Sequence, residues 1–466
     1  GQGAIKAFVH DPARPASLAF DVVRSLLVDS AGRLWIGLGN GGVERLEGEG
    51  FAHSLPAQGQ AGLGEAVRAL AEDPEGGIWV GWADSGIGTL DPASMSLHAP
   101  GPDEAAMVRT LYRDRGGLVW AGMKGGGART YNVASGHFRR YTSLASGQAI
   151  RQVRGMAELP DGRILAGTDG QGLLVLGRQG GPALPLPGMP RDREALKVYA
   201  VLVGREGSIW AGTDGAGLIR LLPDGRVVRY QKQAGVPASI SGNVVWSLLE
   251  EADGRVWVGT EGAGLDLLDP ETGRFEHFRH DARDRGSLHG SSIRSIYRDS
   301  RRRLWIGTWD GGLSRLDPGS RTFANYLPDG ATGSSLADAS VNCVLEDRLG
   351  NIWVGTGGSG LALLNPDTGT FLRYDVASGL VGSTVYGLLE DQGGLIWVAT
   401  ATGLSSLDRG TETFFSYGAE DGLASGEISQ NACLAARDGS IWVGGPEGIT
   451  SFLPREVVRE RPKPPV

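Results

Sequence analysis

The chain has little cysteine, no long apolar run and no leader-like segment. Cys343 and Cys433 are its two cysteines, 90 residues apart in a chain of 466. They predict small buried side chains and not a disulfide framework. No stretch of 18 apolar residues occurs, so no segment of the sequence is expected to span a membrane as a helix. The start at Gly1 is typical of a mature or trimmed end without a signal peptide.

Positive charge is also in short supply. The net charge is -8 and the sequence pI is about 5.5. A general binder of nucleic acid or of anionic membranes needs an excess of basic side chains. We therefore expect no nucleic-acid partner and no membrane contact for this chain, although a local basic pocket remains compatible with the composition.

Glycine and tryptophan are abundant. The 76 glycines follow no collagen period and indicate many tight turns between short strands. Most of the 12 tryptophans recur every 41 to 48 residues, with one leucine in register. The anchors of this repeat are Trp35, Trp79, Trp120, Leu165, Trp210, Trp257, Trp305, Trp353, Trp397 and Trp442.

One copy of the repeat, residues 244–278, shows how each unit folds. Apolar stretches at Val244–Leu249, Val256–Gly259, Leu265–Leu268 and Phe275–Phe278 are separated by turns rich in Asp, Gly and Pro. Four short strands joined by tight hairpins form an antiparallel sheet. About ten such sheets predict an all-β fold, a single β-propeller of about ten four-stranded blades.

The two ends of the chain predict how this ring closes. The last unit has three strands, whereas Ile5–Phe8 matches the fourth-strand pattern of Phe138–Tyr141. The N-terminal strand is therefore expected to complete the last blade, which gives a sensor domain over residues 1–454 and a linker over residues 455–466. Two smaller propellers are the alternative, because one strand cannot close both.

The unit VxxLxxDxxGxxWxGTxxGGLxxLDxxTGxFxxY resembles the two-component regulator propeller repeat, and residues 293–326 are very close to it. The segment Glu420–Leu423, with Gly448–Phe452 and Pro454, is similar to the final repeat of that family. The resemblance implies the sensor domain of a hybrid two-component or diguanylate-cyclase-type bacterial receptor in the periplasm. It also implies a downstream module beyond Pro462–Val466, through which the receptor could form a homodimer.

Equivalent positions in the first strand of each unit suggest where a ligand binds. Twelve residues before the anchor the side chain is almost always Val or Ile, and ten before it is small. Between them lie large or polar side chains that can donate hydrogen bonds. They are Arg24, Arg68, Arg109, Arg154, Tyr199, Trp246, Arg294, Asn342, Tyr386 and Asn431. We expect this ring to line the mouth of the axial channel, where arginines suit oxyanions and aromatic rings suit sugars. The alternative for each arginine is an ion pair with a neighbouring blade.

Two further tryptophans interrupt the repeat near the second hairpin. Trp82 and Trp309 are not demanded by the packing of the unit, so we expect them at exposed hairpin tips, in contact with the ligand. Local packing within the hairpin is the alternative interpretation.

The motifs of catalysis and cofactor binding are missing or out of context. The glycine patterns at 37–42 and 355–360 lie in hairpins with no following helix. His277 and His280 lie at the end of a fourth strand and in the next loop, which predicts solvated side chains and not a metal site. The recurring acids Asp29, Asp73, Asp114, Asp299, Asp347 and Asp391 precede a glycine turn and predict turn caps. We expect no catalytic residues, no metal and no cofactor.

Three functions remain. The first is a sensor domain that binds a small molecule or oligosaccharide, acidic if the arginines act together. The second is a protein-interaction platform, which predicts a large exposed apolar patch. The third is a propeller lyase or glycosidase, which the ring disfavours because it contains no acid and no histidine.

Overall fold

The computed structural model describes residues 6–40, 42–56, 66–73, 76–98, 107–114, 119–131, 138–178, 180–328 and 335–457. These residues form short antiparallel sheets that divide into two compact units, one within residues 1–133 and one within residues 134–458. No helix in this part of the chain is long and apolar enough to cross a membrane.

The first unit contains three sheets. They are built from β1 (Val23–Val28), β2 (Leu34–Leu38), β3 (Val43–Glu47) and β4 (Gly50–His53); from β5 (Leu55–Pro56), β6 (Val67–Glu72), β7 (Ile78–Trp82), β8 (Ile87–Asp91) and β9 (Ser96–His98); and from β10 (Val108–Arg113), β11 (Val119–Met123) and β12 (Gly127–Tyr131). The first and third of these sheets expose apolar side chains. Leu26 on β1 is 63% exposed, and Trp120 on β11 is 42% exposed.

The second unit begins with β13 (Arg139–Tyr141) and continues with six four-stranded sheets. Their strands are β14 (Val153–Glu158), β15 (Ile164–Thr168), β16 (Gly172–Leu176), β17 (Leu184–Pro185), β18 (Val198–Val203), β19 (Ile209–Thr213), β20 (Leu218–Leu221), β21 (Val227–Tyr230), β22 (Val245–Glu250), β23 (Val256–Thr260), β24 (Gly264–Asp269), β25 (Arg274–Phe278), β26 (Ile293–Arg298), β27 (Leu304–Thr308), β28 (Leu313–Leu316), β29 (Phe323–Tyr326), β30 (Val341–Glu346), β31 (Ile352–Thr356), β32 (Leu361–Asn365), β33 (Thr370–Tyr374), β34 (Val385–Glu390), β35 (Ile396–Thr400), β36 (Gly403–Asp408) and β37 (Thr413–Tyr417).

A seventh sheet completes the second unit and joins its two ends. It is formed by β38 (Cys433–Ala435), β39 (Ile441–Gly445) and β40 (Gly448–Phe452), with β13 as the fourth strand along β40. The first strands of the seven sheets contact one another in chain order, and β38 contacts β14. The prediction that Ile5–Phe8 completes this sheet is wrong, because β13 already occupies the open edge of β40. Ile5 lies outside the described residues, and Lys6–Phe8 form no strand.

Buried aromatic side chains explain why β13 takes this place. Phe138 packs edge-on against Phe452, with 5.0 Å between the ring centroids, and Tyr141 stacks on Trp442 at 5.0 Å. Both side chains of the closing segment are buried. Thus seven of the ten predicted sheets lie in the second unit, where β13 pairs with β40, and the other three lie in the first unit.

The unit continues beyond β40 into α1 (Pro454–Val457), and two short 3-10 helices lie at Val376–Ser378 and Ala419–Asp421. Val457 is buried, and the Tyr417 hydroxyl donates a hydrogen bond to its carbonyl oxygen at 3.3 Å. The first residues of the predicted linker therefore pack on the last sheet, and residues 458–466 lie outside the described residues.

Seven of the nine repeating tryptophans donate from the indole N–H to the acid six residues before them. Trp210 and Trp442 have no acid at that position, and Trp442 donates to the Ser440 hydroxyl instead. In the sheet that contains β31, Trp353 Nε1 donates to Asp347 Oδ2 at 2.8 Å. The other oxygen, Asp347 Oδ1, accepts from the Asn351 backbone at 3.0 Å. Asp299 and Asp391 make the same bonds to Trp305 and Trp397. A buried indole N–H needs such a partner, so the predicted turn-capping role of these acids is confirmed and extended.

Candidate functional site

Nine of the ten side chains predicted to form the ring, all except Asn431, come from the same irregular point of a first strand. In β22 the register with β23 shifts between Val245 and Ser247, so that Trp246 is the extra residue of a β-bulge. The same shift occurs in the other regular first strands from β1 to β34. A bulge turns its side chain away from the regular alternation of the strand, which explains why this position is neither core nor ordinary surface.

The second unit brings seven of the ten predicted ring residues onto its seven first strands or directly before them. This set, called the channel ring below, consists of Arg154, Tyr199, Trp246, Arg294, Asn342, Tyr386 and Asn431. Arg24, Arg68 and Arg109 occupy the equivalent bulges in the first unit, where Arg24 and Arg109 are exposed and Arg68 is half-buried. The five arginines are therefore divided between two units, three in the first and two in the second.

Four members of the channel ring form a continuous stack of cations and aromatic rings. The Arg154 guanidinium lies 5.6 Å from the ring centre of Tyr199, and Tyr199 lies 4.5 Å from Trp246 between centroids. Arg294 then lies 3.9 Å from the Trp246 ring and 5.1 Å from the Trp309 ring. Cation–π contacts of this kind are strongest where water is excluded, and Arg294 is buried.

Several polar atoms of this stack have no partner among the described residues. Trp246 Nε1, Arg154 Nε, and both Nε and Nη1 of Arg294 are buried without a hydrogen-bond acceptor. A buried N–H group without a partner costs about 1 to 3 kcal/mol. The stack is therefore held by ring and cation contacts, while these N–H groups have no acceptor among the described residues.

Carboxylates from the neighbouring hairpins lie against the ring, which reading the first strands alone did not reveal. Glu261, in the hairpin between β23 and β24, pairs with Arg294 Nη2 at 3.2 Å. Asp214, in the hairpin between β19 and β20, accepts from the Tyr199 hydroxyl at 3.1 Å and from Lys197 Nζ at 3.0 Å. The ion-pair alternative is thus correct for Arg294, and the site is mixed in charge.

Burial changes the acidity of two groups in the stack. Burial outweighs the stabilising effect of Glu261 and lowers the pKa of the Arg294 guanidinium. Burial, together with the nearby carboxylates of Asp169 and Asp214, raises the pKa of Tyr199 to about 12. The Tyr199 hydroxyl is therefore a hydrogen-bond donor and not a base at neutral pH.

The two asparagines of the channel ring join sheets to one another. Asn431, at a positive φ of 62°, donates from Nδ2 to the Trp246 carbonyl oxygen at 2.8 Å. Asn342 is fully buried and donates to the Val385 carbonyl oxygen of the next sheet at 3.0 Å. Tyr386 is half-buried. Asn342 is thus a packing residue, whereas Asn431 is in contact with the aromatic stack.

The two off-pattern tryptophans behave differently. Trp309 is 49% exposed at its hairpin tip, as predicted. Trp82 is fully buried, so the prediction that it is exposed is wrong. It ends β7 at the place where other second strands have a buried threonine such as Thr308, which hydrogen-bonds the base of the hairpin. Trp82 therefore occupies the core position of Thr308, whereas Trp309 lies one residue further along and reaches the hairpin tip.

Candidate metal ligands do not cluster in the described ranges, where no group of three or more His, Cys, Asp or Glu side chains could hold an ion. His277 is bound on both ring nitrogens, by Asp266 Oδ1 at 2.6 Å and the Pro237 carbonyl at 2.7 Å. It fastens the loop before β22 and is not solvated. Both cysteines are free thiols, and burial raises the pKa of Cys433 to about 12.

The fold and its repeat make this chain a repeat protein of the β-propeller type. Four segments, residues 17–40, 239–262, 287–310 and 335–358, match the model of the two component regulator propeller family. Each match covers the first two strands of a sheet and the loop before them. The last three include Trp246, Arg294 and Asn342 of the channel ring.

Solved structures with the same fold include receptor domains and an enzyme. The extracellular domain of the hybrid two component system BT3049 from B. thetaiotaomicron has a TM-score of 0.59 at 18% identity, over 96% of this chain and 70% of that one. The extracellular domain of BT4673 from the same organism gives 0.56 at 17%, over 97% and 66%. Streptogramin B lyase gives 0.51 at 17%, over 69% of this chain and 99% of the lyase.

A curated relative matches over a shorter stretch. Histidine kinase P4 of Formosa agariphila is 30% identical over 80 residues. The match covers 17% of this chain and 6% of the kinase.

Proposed function

We propose that this chain is the extracytoplasmic, periplasmic sensor domain of a bacterial transmembrane signalling receptor, and that it binds a small molecule or oligosaccharide at the channel ring. The observation that carries this proposal is the stack of Arg154, Tyr199, Trp246 and Arg294, with buried N–H groups that lack acceptors. Aromatic faces beside fixed hydrogen-bond donors are what a sugar ring requires.

The receptor assignment is supported by the family of the repeats and by the likeness to receptor domains. One match to the two-component regulator propeller model lies in the first unit and three lie in the second. Extracellular domains of hybrid two component systems resemble the fold over 96% and 97% of this chain, whereas the lyase resembles it over 69%. The carboxylates nearest the stack, Asp214 and Glu261, are already engaged by Lys197 and Arg294, which favours binding over acid–base catalysis.

A route for the signal follows from the bond between Asn431 and Trp246. Asn431 lies two residues before β38, and β38 leads through β39 and β40 to α1 near the C-terminal end of the described chain. A ligand that contacts Trp246 with different affinity in two arrangements of this bond would shift the last sheet. The proposed output is a change in the position of α1.

Calorimetric titration with neutral and acidic oligosaccharides tests the proposal. Trp309→Ala removes an exposed aromatic face next to Arg294, and we expect it to weaken binding at least about tenfold, the loss of about 1.4 kcal/mol. Trp120→Ala, an exposed tryptophan of the first unit, is the matched control and should leave affinity unchanged. Equal loss in both variants, or no loss in either, would contradict a site at the channel ring.

A further inference from the structure

A groove of about 500 Å³ lies between the loops that join three successive sheets of the second unit. Lys232 comes from the loop after β21, Arg279 and His280 follow β25, and His289 precedes β26. These four side chains are called the basic groove below. The loops leave the same ends of the strands from which the channel ring starts, so the basic groove and the channel ring open on one face of the unit.

The cations of the basic groove have no partner of opposite charge. Within the described ranges, neither Lys232 Nζ nor the Arg279 guanidinium has an acceptor within hydrogen-bonding distance. Some basic side chains of this unit form ion pairs, as Arg303 does with Asp299 and Arg409 with Glu390. In a chain of net charge -8, the exposed side chains of Lys232 and Arg279 bring two positive charges to one cavity, which suits an anionic group of a ligand.

The histidines of the groove also have free nitrogens. His280 donates from Nδ1 to the Leu288 carbonyl oxygen at 3.1 Å, which leaves its Nε2 available. Its ring lies 4.9 Å from that of His289 between centroids. His289 Nδ1 is buried and has no partner among the described residues. His280 Nε2 donates to a ligand oxygen when the ring is protonated, because the neutral ring that donates from Nδ1 has only a lone pair at Nε2.

The one acid of the groove is occupied by the protein. The Asp310 carboxylate accepts from the Ser291 backbone at 3.1 Å, from the Ser291 hydroxyl at 2.9 Å and from the Ser292 backbone at 3.2 Å. It therefore shapes the loop before β26. The adjacent Gly290, at a φ of 93°, leaves room that a Cβ atom would fill at 2.9 Å from Asp310 Oδ1.

We infer that the basic groove is an oxyanion subsite, which binds the carboxylate or sulfate group of an acidic saccharide whose remaining sugar lies at the channel ring. This inference rests on the proposed function and names its ligand class. Two residue pairs connect the sites. Glu261, which binds Arg294, adjoins Gly262 of the groove, and Trp309, which contacts Arg294, adjoins Asp310. Acid recognition is thereby assigned to the groove and not to the arginines of the ring.

The test compares charged probes with neutral counterparts of the same shape. Tetragalacturonate is titrated against its fully methyl-esterified form, and a sulfated galactose tetrasaccharide against its desulfated form. We expect at least one charged probe to bind about tenfold or more tightly than its neutral counterpart. A preference in the galacturonate pair identifies the bound group as a carboxylate, and a preference in the sulfated pair identifies it as a sulfate. No preference in either arm, or no binding of either charged probe, overturns the inference.

A double variant locates the preference. Lys232→Ala with Arg279→Ala should reduce the preference for the charged probe to within about twofold and leave the neutral probe unaffected. Arg163→Ala with Arg226→Ala removes the same charge from exposed turns and should retain the preference, which accounts for the change in net charge. A preference retained in the groove variant, or lost equally in both, overturns the inference.

The same titrations separate the two proposals. If Trp309→Ala weakens neutral and charged probes alike and the groove variant changes neither, the channel ring stands and the groove fails. If the groove variant weakens the charged probe and Trp309→Ala does not, the groove stands and the ring fails.

Discussion

Asn431 donates a hydrogen bond to the backbone carbonyl of Trp246, 2.8 Å away, although 185 residues separate them in the chain. In the cyclic order of seven sheets, those of β22 and β38 are as far apart as two sheets can be. The bond therefore crosses the centre of the second unit. It connects the strand that carries Trp246 of the aromatic stack to the segment before β38 of the last sheet.

Removing the donor of this bond should destabilise the second unit. Asn431→Asp keeps the size of the side chain and tolerates the positive φ, but places a carboxylate against a carbonyl oxygen. We expect the free energy of unfolding to fall by about 1 to 3 kcal/mol, measured by urea unfolding. Asn365→Asp is the control, because the Asn365 side chain accepts hydrogen bonds from the Asp367 and Thr368 backbones, and an aspartate can accept the same bonds. Equal stability of the two variants would contradict the bridge.

The closing strand gives a second prediction. Tyr141→Ala removes a buried ring stacked on Trp442, and we expect a loss of about 3 to 5 kcal/mol in the free energy of unfolding, the usual cost of a large aromatic core truncation. Phe8→Ala alters the equivalent position of the N-terminal segment, where the ring is 36% exposed, and should cost less than about 1 kcal/mol. A larger loss of stability for Phe8→Ala than for Tyr141→Ala would favour closure by the N-terminal segment.

His53 in the first unit should show a measurable pH effect. Burial alone lowers its pKa, but hydrogen bonds to the Pro15 carbonyl and to Glu44 outweigh burial and raise it above the ordinary value of 6.5. The protonated pair thus stabilises the fold below pH 6.5, and this contribution is lost as pH rises through the raised value. In Glu44→Gln burial should prevail, and an NMR titration should find His53 titrating at lower pH than in the wild type. An unchanged titration midpoint would refute the coupling.

The acid–tryptophan pairs give a fourth prediction. Asp299→Ala leaves Trp305 Nε1 and the Arg303 backbone N–H buried without their acceptor. We expect a loss of about 2 to 3 kcal/mol in the free energy of unfolding, measured by thermal or urea unfolding. Asp161→Ala, in an exposed turn with Arg163 as its partner, should cost less than about 1 kcal/mol. A loss of the same size in both would mean that the indole bond contributes little.

The repeat itself could be predicted because each sheet repeats its own chemistry. The anchors, the turn acids and the small residues beside the axis all follow from packing within one sheet or between neighbours, and the strands of residues 244–278 are confirmed as β22 to β25. The one anchor that is not a tryptophan fits the same pattern of pairing. Leu165 has no indole to satisfy, and the residue six before it is Leu159, not an acid. Local patterns therefore carried most of the fold.

Closure and the full site could not be predicted, for two physical reasons. A fourth-strand pattern such as that of Phe138–Tyr141 shows that the segment pairs with the edge of a sheet, but it does not show which sheet. Chain order favours the third sheet, whereas in the structure the segment pairs with β40. The site combines bulge residues with hairpin residues of neighbouring sheets, such as Arg294 with Glu261. Comparing equivalent positions of the repeat identifies the bulge residues. It cannot identify a contact between a bulge residue of one sheet and a hairpin residue of the next.

The most direct test of the account is hydrogen–deuterium exchange with and without the oligosaccharide that binds best in the titrations. Binding at the channel ring should slow exchange at the backbone amides of β18, β22 and β26, and at the segment Asn431–Ala435 that the bridge connects to Trp246. Exchange in β1, β6 and β10 of the first unit should not change. Protection confined to the first unit, or to the second unit without Asn431–Ala435, would contradict a ligand site at the channel ring that is coupled to the last sheet.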